Sequence, residues 1–498
     1  MTIDKERVHV GKKIRSIAII GGGASGAIAL DSLVQEGTFD KITLFERRAK
    51  GGGVWVLDTK PDKLDVPPGV SQQILDPSLR VPELTTKTEV LQKRPSQQRY
   101  THTASYQGLR TNIPEQLMTF SDDKHWGELP GERVDDHFVR GVAIQRYIER
   151  YLNRHSENIV FSTTVEKVDK DYSQPSSPFV LTLRTETDQK DEDGTPLDRW
   201  WTEQFDSVVV AVGHYHVPYI PNVPGLDEVY KRFPGLVQHS KTFRDAESEL
   251  KDKNVVVIGT RSSGADIVEL GSQFAKKIYH SQRGKNLLRK NSATNIELKP
   301  VIIKFEITKS GDIVVHFAND TTVINPDLIY YATGFRFSYP FLNDTYGSHF
   351  TTGTTVPDLY LHTFYTKDPL LTFVGVPTDA ISLRAFEYQA VLVSRFLAGK
   401  TSIPSRDDQI IWCLNRFREK GDTRAFHTID WGSKLEYLES LVDIGGGYDR
   451  LGEKGRPFPK FTEEDIQLHK SIQQRLLEFF SVNESEISGV TVQSVSHS

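Results

Sequence analysis

Two glycine-rich turns, each preceded by an apolar stretch, are the residues of this chain best suited to do chemistry. The first occupies residues 16–26 (SIAIIGGGASG) and the second occupies residues 254–264 (NVVVIGTRSSG). In each, an apolar strand would lead into a glycine turn and a helix, so that phosphate can approach backbone N–H groups at the positive helix end. Two such turns predict two bound nucleotides and therefore redox chemistry between cofactors.

The first turn has the complete spacing of a dinucleotide site. Gly21, Gly23 and Gly26 satisfy G-x-G-x-x-G: the first permits a tight turn, the second lets a pyrophosphate approach, and the third allows close packing of helix and strand. Glu46 stands 20 residues after Gly26, at the end of the next apolar stretch, where a carboxylate accepts hydrogen bonds from ribose hydroxyls. This pattern predicts a dinucleotide site that also contains Ala24, Ser25 and Arg47, and the contrast between Glu46 and Arg283 after the second turn assigns FAD to it.

The second turn departs from the pattern, because Arg261 stands where the middle glycine is usual. Gly264 keeps the close packing, and the next predicted strand ends in Ser281-Gln-Arg283 without an acid. A site that offers arginine and serine instead of a carboxylate suits a 2′-phosphate, which predicts NADPH. The alternative is that Arg261 and Arg283 are ordinary surface arginines. The predicted NADPH residues of this region are Thr260, Arg261, Ser262, Ser263, Ser281 and Arg283.

The elements around the two turns predict an α/β fold with two Rossmann-like domains. Strand patterns at residues 165–168, 179–187 and 200–210 indicate a β-meander, and a smaller version of the same plan follows the second turn. We predict an FAD domain at residues 1–216, an NADPH domain inserted at 217–334, and a return to the FAD domain with C-terminal helices at 335–498. Residues 56–98, rich in Pro, Ser and Thr, are either an ordered excursion or a mobile insert.

Composition excludes several classes of protein. The chain has 498 residues with a net charge of -5, which gives no electrostatic reason to expect a nucleic-acid partner. Cys413 is the single cysteine, so a disulfide reductase is excluded and a cytoplasmic location is expected. We expect no signal peptide, no membrane association and no metal site, because neither an apolar segment of suitable length nor credible ligand spacing is present.

Six further motifs carry a resemblance to a known family. The segment Phe233-x-Gly235-x-x-x-His239-x-x-x-Phe243 resembles the fingerprint of flavin-containing monooxygenases, and most resembles the soluble fungal members. The other motifs, in the family's order, are Gly51-Gly-Gly-Val-Trp55, Tyr106–Met118 with its Thr-Asn pair, Gly213–Pro218, Ala332–Phe337 and Glu387-x-Gln389. For His239 the bare residue pattern favours a structural role, orienting a linker between domains.

The resemblance implies which residues hold the cofactors and which one acts on oxygen. It implies that NADPH reduces FAD, that O2 adds to the reduced flavin as a C4a-hydroperoxide, and that one oxygen atom passes to a thiol, sulfide or amine. Asn112 is implied as the catalytic residue, donating an amide hydrogen bond near the reacting flavin oxygen. Tyr215 either stacks near the nicotinamide or packs between domains. The implied FAD residues are Gly53, Val54, Trp55, Thr111, Asn112 and Gln389.

Other readings remain open at this point. A Baeyer–Villiger or N-hydroxylating monooxygenase is one alternative, although the Baeyer–Villiger fingerprint ends in Trp where Phe243 stands. A protein that binds FAD and NADPH as a non-catalytic redox sensor is another. A homodimer is possible as well, through aromatic residues in the C-terminal third of the chain.

Overall fold

The fold is described from a computed structural model, for residues 6–61, 65–84, 89–97, 100–127, 138–174, 176–283, 293–429, 431–472 and 474. Its strands are β1 (Ser16–Ile20), β2 (Lys41–Phe45), β3 (Val90–Lys93), β4 (Ile159–Val160), β5 (Thr163–Lys170), β6 (Phe179–Lys190), β7 (Pro196–Phe205), β8 (Ser207–Val210), β9 (Val217–Pro218), β10 (Val237–His239), β11 (Asn254–Ile258), β12 (Lys277–Ser281), β13 (Ile296–Lys299), β14 (Ile302–Ile307), β15 (Ile313–Phe317), β16 (Thr322–Ile324), β17 (Leu328–Tyr331), β18 (Phe335–Arg336), β19 (Leu359–Tyr360), β20 (Phe364–Tyr365) and β21 (Leu371–Phe373).

The α-helices are α1 (Ala24–Glu36), α2 (Gln72–Leu75), α3 (Gly141–Leu152), α4 (Leu226–Arg232), α5 (Ala246–Leu250), α6 (Ser262–Gly271), α7 (Asn343–Tyr346), α8 (Ser382–Leu397), α9 (Arg406–Lys420) and α10 (Lys434–Ile444). Residues 463–472 are helical as well. Within these described ranges, no helix combines the length and the apolar character that crossing a bilayer requires.

A seven-stranded sheet carries the first glycine turn. Its order is β19-β20-β21-β8-β1-β2-β4, and the five strands from β21 to β4 run parallel. Successive side chains of β1 point to opposite faces: Ile17 and Ile19 join a core with α1, α3 and α8, whereas Ala18 and Ile20 join a core with the meander. Cover on both faces explains why this strand is a continuous apolar run.

The predicted β-meander is an antiparallel sheet in the order β3-β7-β6-β5. The predicted strand at 200–210 was wrong in one respect, because it is two strands in two sheets. β7 ends at Phe205 and pairs with β6, whereas β8 begins at Ser207 and pairs with β1. Asp206 marks the change of sheet: its side chain accepts hydrogen bonds from the backbone N–H groups of Arg15 and Ser16, at 2.9 and 3.0 Å.

A second, five-stranded sheet carries the second glycine turn. Its order is β10-β17-β11-β12-β13, every neighbouring pair is parallel, and all five strands lie between residues 237 and 331. A three-stranded antiparallel sheet, β14-β15-β16, lies between β13 and β17 in the chain. The chain enters this region after β9 and leaves it at β18, and these two short strands pair with each other at Pro218 and Phe335.

The described parts of the segment at 56–98 form an ordered excursion over the surface. The Ser338 hydroxyl donates to Asp76 at 2.8 Å, the Ser78 hydroxyl donates to the carbonyl of Pro340 at 2.7 Å, and β3 adds an edge strand to the meander. Residues 62–64, 85–88 and 98 of the segment lie outside the described part of the chain. The segment therefore reaches from the meander to residues 338–340.

Candidate cofactor and active site

The first glycine turn is a close backbone crossing between β1 and α1. Gly21 has a φ of 109°, a conformation that favours glycine. A Cβ added to Gly26 would lie 1.9 Å from the carbonyl oxygen of Gly21, so no side chain fits there. Gly23 is the N-cap of α1, and a Cβ on it would lie 3.5 Å from the Cα of Gly53. Glycines at these positions therefore leave a cradle of backbone at a helix N-terminus.

Glu46 follows β2 and faces the same turn. Its Oε2 accepts a hydrogen bond from the N–H of Gly22 at 2.6 Å, and its Oε1 accepts one from the N–H of Arg48 at 2.8 Å. The side chain is buried, and two backbone donors fix the carboxylate. Each carboxylate oxygen has a second lone pair, so Glu46 can still accept hydrogen bonds from ribose hydroxyls.

A cavity of about 340 Å³ runs from the first turn into the sheet region. Its lining combines backbone at the turn, charged side chains beside the meander and an apolar wall from α8. The apolar side chains that line it include Trp55, Met118, Leu383 and Phe386. The predicted site residues that line it are Gly21, Gly23, Ala24, Ser25, Glu46, Arg47, Gly53, Val54, Trp55 and Tyr215.

Four predicted FAD residues lie outside the lining of this cavity: Gly26, which packs against Gly21, and Thr111, Asn112 and Gln389. Gln389 is fully buried: its Oε1 accepts the N–H of Gly375 at 2.9 Å, and its Nε2 donates to the Thr363 hydroxyl at 2.9 Å. Thr111 is buried, and its hydroxyl accepts the N–H of Val139 at 3.1 Å. Asn112 is exposed. Gln389 therefore acts on the cavity through Gly375, which is part of the lining.

Sequence reasoning missed several polar groups of the cavity. Asp76 comes from the segment at 56–98, where no pattern indicates a site. Glu166 and Arg184 line the cavity and form an ion pair at 2.8 Å across β5 and β6, a pairing that single-sequence patterns do not reveal. His214 and His216 also line it. The two histidines lie in the Gly213–Pro218 motif, so that motif was the available signal for them.

His214 is a buried, neutral group that faces the cavity. Its side chain is 8% exposed, and neither ring nitrogen has a hydrogen-bond partner within the described part of the chain. Burial, together with the positive charge of Arg424, lowers the pKa of His214 to about 3. A neutral imidazole has one donor and one acceptor nitrogen, so His214 offers hydrogen bonds to a molecule in the cavity without adding charge.

The second glycine turn has the same close crossing as the first. A Cβ on Gly264 would lie 2.1 Å from the carbonyl oxygen of Gly259, whose own φ is 120°. Arg261 is the N-cap of α6 with φ −83° and ψ 179°, an extended conformation that any residue adopts. An arginine is therefore tolerated here without strain. Thr260, Ser262 and Ser263 complete the turn beside it.

The described residues of the second turn lie outside the cavity, as do Ser281, the last residue of β12, and Arg283. Ser281 is buried, and its hydroxyl donates to the carbonyl of Pro300 at 2.9 Å. Arg283 is exposed two residues later. The structure thus brings most predicted FAD residues together and leaves the predicted NADPH residues outside the cavity, at the second turn and the end of β12, with Tyr215 as the one that reaches the cavity.

The fingerprint segment holds the two sheets together. Nδ1 of His239 accepts the N–H of Lys241 at 3.1 Å, so Nε2 carries the proton and donates to the carbonyl of Gly334 at 2.9 Å. Burial lowers the pKa of His239 to about 3, which keeps the ring neutral. Gly334 immediately precedes β18, so His239 fixes the connection through which the chain returns to the first sheet.

The donor set fits a dinucleotide and gives no sign of a metal centre. The glycine cradle has the geometry that phosphate binding requires, Glu46 has carboxylate lone pairs free to accept hydroxyl groups, and the ring nitrogens of His214 are buried beside the cavity. Within the described ranges, no group of three His, Cys, Asp or Glu side chains is placed to hold a metal ion.

Comparison with known proteins assigns the family. The sequence profile "flavin-binding monooxygenase-like" matches residues 91–294 and 285–446, and an "FAD-NAD(P)-binding" profile matches residues 18–67. The first profile covers well over half of the chain. The chain belongs to the flavin-containing monooxygenase family. It is therefore an oxidoreductase of a family that uses FAD and NADPH.

Three relatives show how far the likeness extends. The flavin-containing monooxygenase ustF2 of Aspergillus flavus is 28% identical, over 86% of this chain and 90% of its own. The flavin-containing monooxygenase iboF of Amanita muscaria is 30% identical, over 82% of this chain and 83% of its own. The structure of S-allyl-L-cysteine S-oxygenase from Allium sativum superposes with a TM-score of 0.68, over 95% of this chain and 94% of that one, at 24% identity. This flavin-containing monooxygenase thus shares the fold of the S-oxygenase along nearly all of its length.

Proposed function

We propose that this flavin-containing monooxygenase uses NADPH and O2 to oxygenate soft nitrogen or sulfur nucleophiles. The observation that carries the proposal is the pairing of a glycine cradle and Glu46 with an apolar wall in one cavity. The S-oxygenase from Allium sativum, which has the same fold, supports heteroatom oxygenation as the reaction class. When bound, FAD and NADPH supply the electron transfer and the activation of O2.

Each part of the cavity has a distinct task in this proposal. The N–H groups at the start of α1 bind the pyrophosphate, and Glu46 binds the ribose. Trp55, Met118 and Phe386 form apolar walls that exclude water from the reacting centre. His214, neutral at any working pH, offers a hydrogen bond without charge.

We also propose three segments for the chain: the FAD domain at 1–216, the NADPH domain at 217–334, and the return at 335–498. The support is topological, because the five-stranded sheet lies wholly within 217–334 and the strands β9 and β18 pair at its two ends. When bound, NADPH would supply the hydride. Tyr215 lies on the connection from β8 to β9, and His239, at the end of β10, donates to Gly334 beside β18.

The experiment that tests the reaction class is a comparison of nucleophiles. We expect the purified, yellow protein to consume NADPH and O2 faster when a thiol, sulfide or amine is added. Equal rates with and without every nucleophile tested contradict the proposal and favour an NADPH oxidase or a redox sensor. Conversion of a cyclic ketone to a lactone, with no heteroatom product, favours the Baeyer–Villiger alternative.

Asn112→Ala tests the proposed catalytic amide. The residue is on the surface beside Thr111, in the segment whose Met118 lines the cavity. We expect the variant to keep FAD and NADPH-dependent reduction but to release hydrogen peroxide, with product yield per NADPH falling roughly fivefold, as for one neutral hydrogen bond of about 1 kcal/mol. Asn415→Ala, on the exposed face of α9, is the matched control. Unchanged coupling in Asn112→Ala refutes the role.

Arg283→Ala tests the choice of nicotinamide cofactor. Hydrogen bonds to a charged group contribute about 1.5–3 kcal/mol, so we expect the KM for NADPH to rise roughly 10- to 100-fold. The KM for NADH, which lacks the 2′-phosphate, is expected to stay nearly constant. Steady-state flavin reduction with both cofactors measures the two values. An equal loss with NADPH and NADH would mean that another residue binds the 2′-phosphate.

A further inference from the structure

An ion pair connects the second glycine turn directly to the flavin cavity. Nη1 of Arg261, the N-cap of α6, lies 2.6 Å from Oδ2 of Asp379, and Asp379 lines the cavity. On the other side of the carboxylate, Nη2 of Arg424 lies 3.5 Å from Oδ1. One carboxylate therefore holds an arginine from each of two separate segments.

Three positive charges act on the carboxylate of Asp379, and we define this cluster as Arg261, Asp379, Arg424 and Lys434. Burial alone would raise the pKa of Asp379, but the hydrogen bond from Arg261 and the charges of the three cations hold it below its ordinary value. Asp379 is therefore ionised at neutral pH. Arg261 faces solvent, so it can pair with a second anion while Arg424 stays beside Asp379.

The position of Arg261 decides where that anion would bind. The residue occupies the middle of the second glycine turn, where the helix end attracts phosphate. Its side chain is 59% exposed and that of Asp379 is 40% exposed, so the pair can separate without uncovering a buried charge. Arg424 already lies beside the other carboxylate oxygen and keeps Asp379 compensated after separation.

We propose that Asp379 is an internal competitor for a phosphate of the nicotinamide dinucleotide. When the dinucleotide binds, Arg261 exchanges the carboxylate of Asp379 for a phosphate, and Asp379 remains with Arg424. The proposal rests on the proposed function, in which the second turn binds NADPH. The exchange gives Arg261 a positioning role. A glycine, which is usual at this position, could not perform that role because it has no side chain.

The exchange has a consequence for the flavin side. Gly375, Pro377, Asp379 and Ala380 all line the cavity, and the carboxylate of Asp379 is held by its ion pairs with Arg261 and Arg424. Release of Arg261 removes the contact that ties this loop to the second turn. Binding of the dinucleotide at the second turn therefore changes a contact of the flavin cavity wall, because it breaks the ion pair between Arg261 and Asp379.

A double-mutant cycle tests the exchange on the oxidised holoenzyme, without turnover. NADP⁺ binding is measured by titration calorimetry and by the change in flavin absorbance. We expect Asp379→Asn to tighten NADP⁺ binding about threefold to fivefold, the range of an exposed ion pair, and Arg261→Gly to weaken it. In the Arg261→Gly background, Asp379→Asn is expected to have no effect. Asp379→Ser is a second neutral variant for the case in which Asp379→Asn does not fold.

Titration with NAD⁺ and with 2′,5′-ADP identifies the phosphate. If Asp379→Asn tightens the binding of NADP⁺ and NAD⁺ equally, Arg261 binds the pyrophosphate. If it tightens only the binding of NADP⁺ and 2′,5′-ADP, Arg261 binds the 2′-phosphate. Either result supports the exchange. Weaker or unchanged NADP⁺ binding in both neutral variants overturns the exchange, and so does equal tightening with and without Arg261.

Absence of NADP⁺ binding by the unaltered protein overturns the proposed function as well, whereas tight binding without oxygenation overturns the proposed function alone.

Discussion

Gly26→Ala is expected to yield a protein that purifies without flavin. The added methyl group, on α1, would lie 1.9 Å from the carbonyl oxygen of Gly21, which is backbone directly after β1 and cannot rotate away as the end of a side chain could. The helix end must move away from the turn, which removes the N–H groups from the pyrophosphate. Overpacking of this kind costs about 1–3 kcal/mol, so we expect flavin content to fall roughly tenfold or more, measured by visible absorbance.

Gly11→Ala is the matched control for this substitution. No atom lies within 4 Å of a Cβ at Gly11, which precedes β1 and the turn. We expect that variant to keep a full complement of flavin. If Gly26→Ala also retained full flavin with an unchanged melting temperature, the close crossing would not be part of the cofactor site.

Gly264→Ala is expected to separate the two cofactors. Its added methyl group would lie 2.1 Å from the carbonyl oxygen of Gly259, so the second turn suffers the same disruption as the first while β1 and α1 stay unchanged. We expect a yellow protein whose flavin is reduced normally by dithionite. Its anaerobic reduction by NADPH is expected to slow roughly tenfold or more, for the same steric reason.

The two glycine substitutions are controls for each other. One nucleotide is assigned to each turn if two results are found together. Gly26→Ala alone loses flavin, and Gly264→Ala loses NADPH-dependent reduction while it retains flavin. Loss of flavin in Gly264→Ala, with the fold intact by circular dichroism, would contradict that assignment, because the second turn would then belong to the flavin site.

The parts of this protein that sequence predicted best are those in which local chemistry dictates geometry. Gly21 and Gly26 stand where a strand, turn and helix must cross closely, and the distance from Gly26 to Glu46 reflects one βαβ step. The strand at 200–210 was predicted wrongly because a single residue, Asp206, separates β7 from β8, and no glycine or proline marks the break. The strand pairings and the hydrogen bonds of Asp206 show where the chain changes sheets.

The rest of the site depends on contacts between residues far apart in the chain, which local sequence patterns do not reveal. Asp76 reaches the cavity from a segment without periodicity, and Arg184 is paired with Glu166 through strand register. Gln389 was predicted at the flavin, but its amide is bonded to Gly375 and Thr363 within the protein. The partner of Arg261 lies 118 residues away in the chain, so the turn sequence alone could not reveal it.

The central claim is oxygen transfer from O2 to a nitrogen or sulfur nucleophile at the expense of NADPH. The most direct test is turnover under ¹⁸O2 with a panel that contains one thiol, one sulfide and one tertiary amine, analysed by mass spectrometry beside NADPH consumption. The account predicts a sulfur- or nitrogen-oxygenated product with one ¹⁸O atom for each NADPH consumed. Hydrogen peroxide as the only oxygen product, with no labelled nucleophile from any member of the panel, would contradict it.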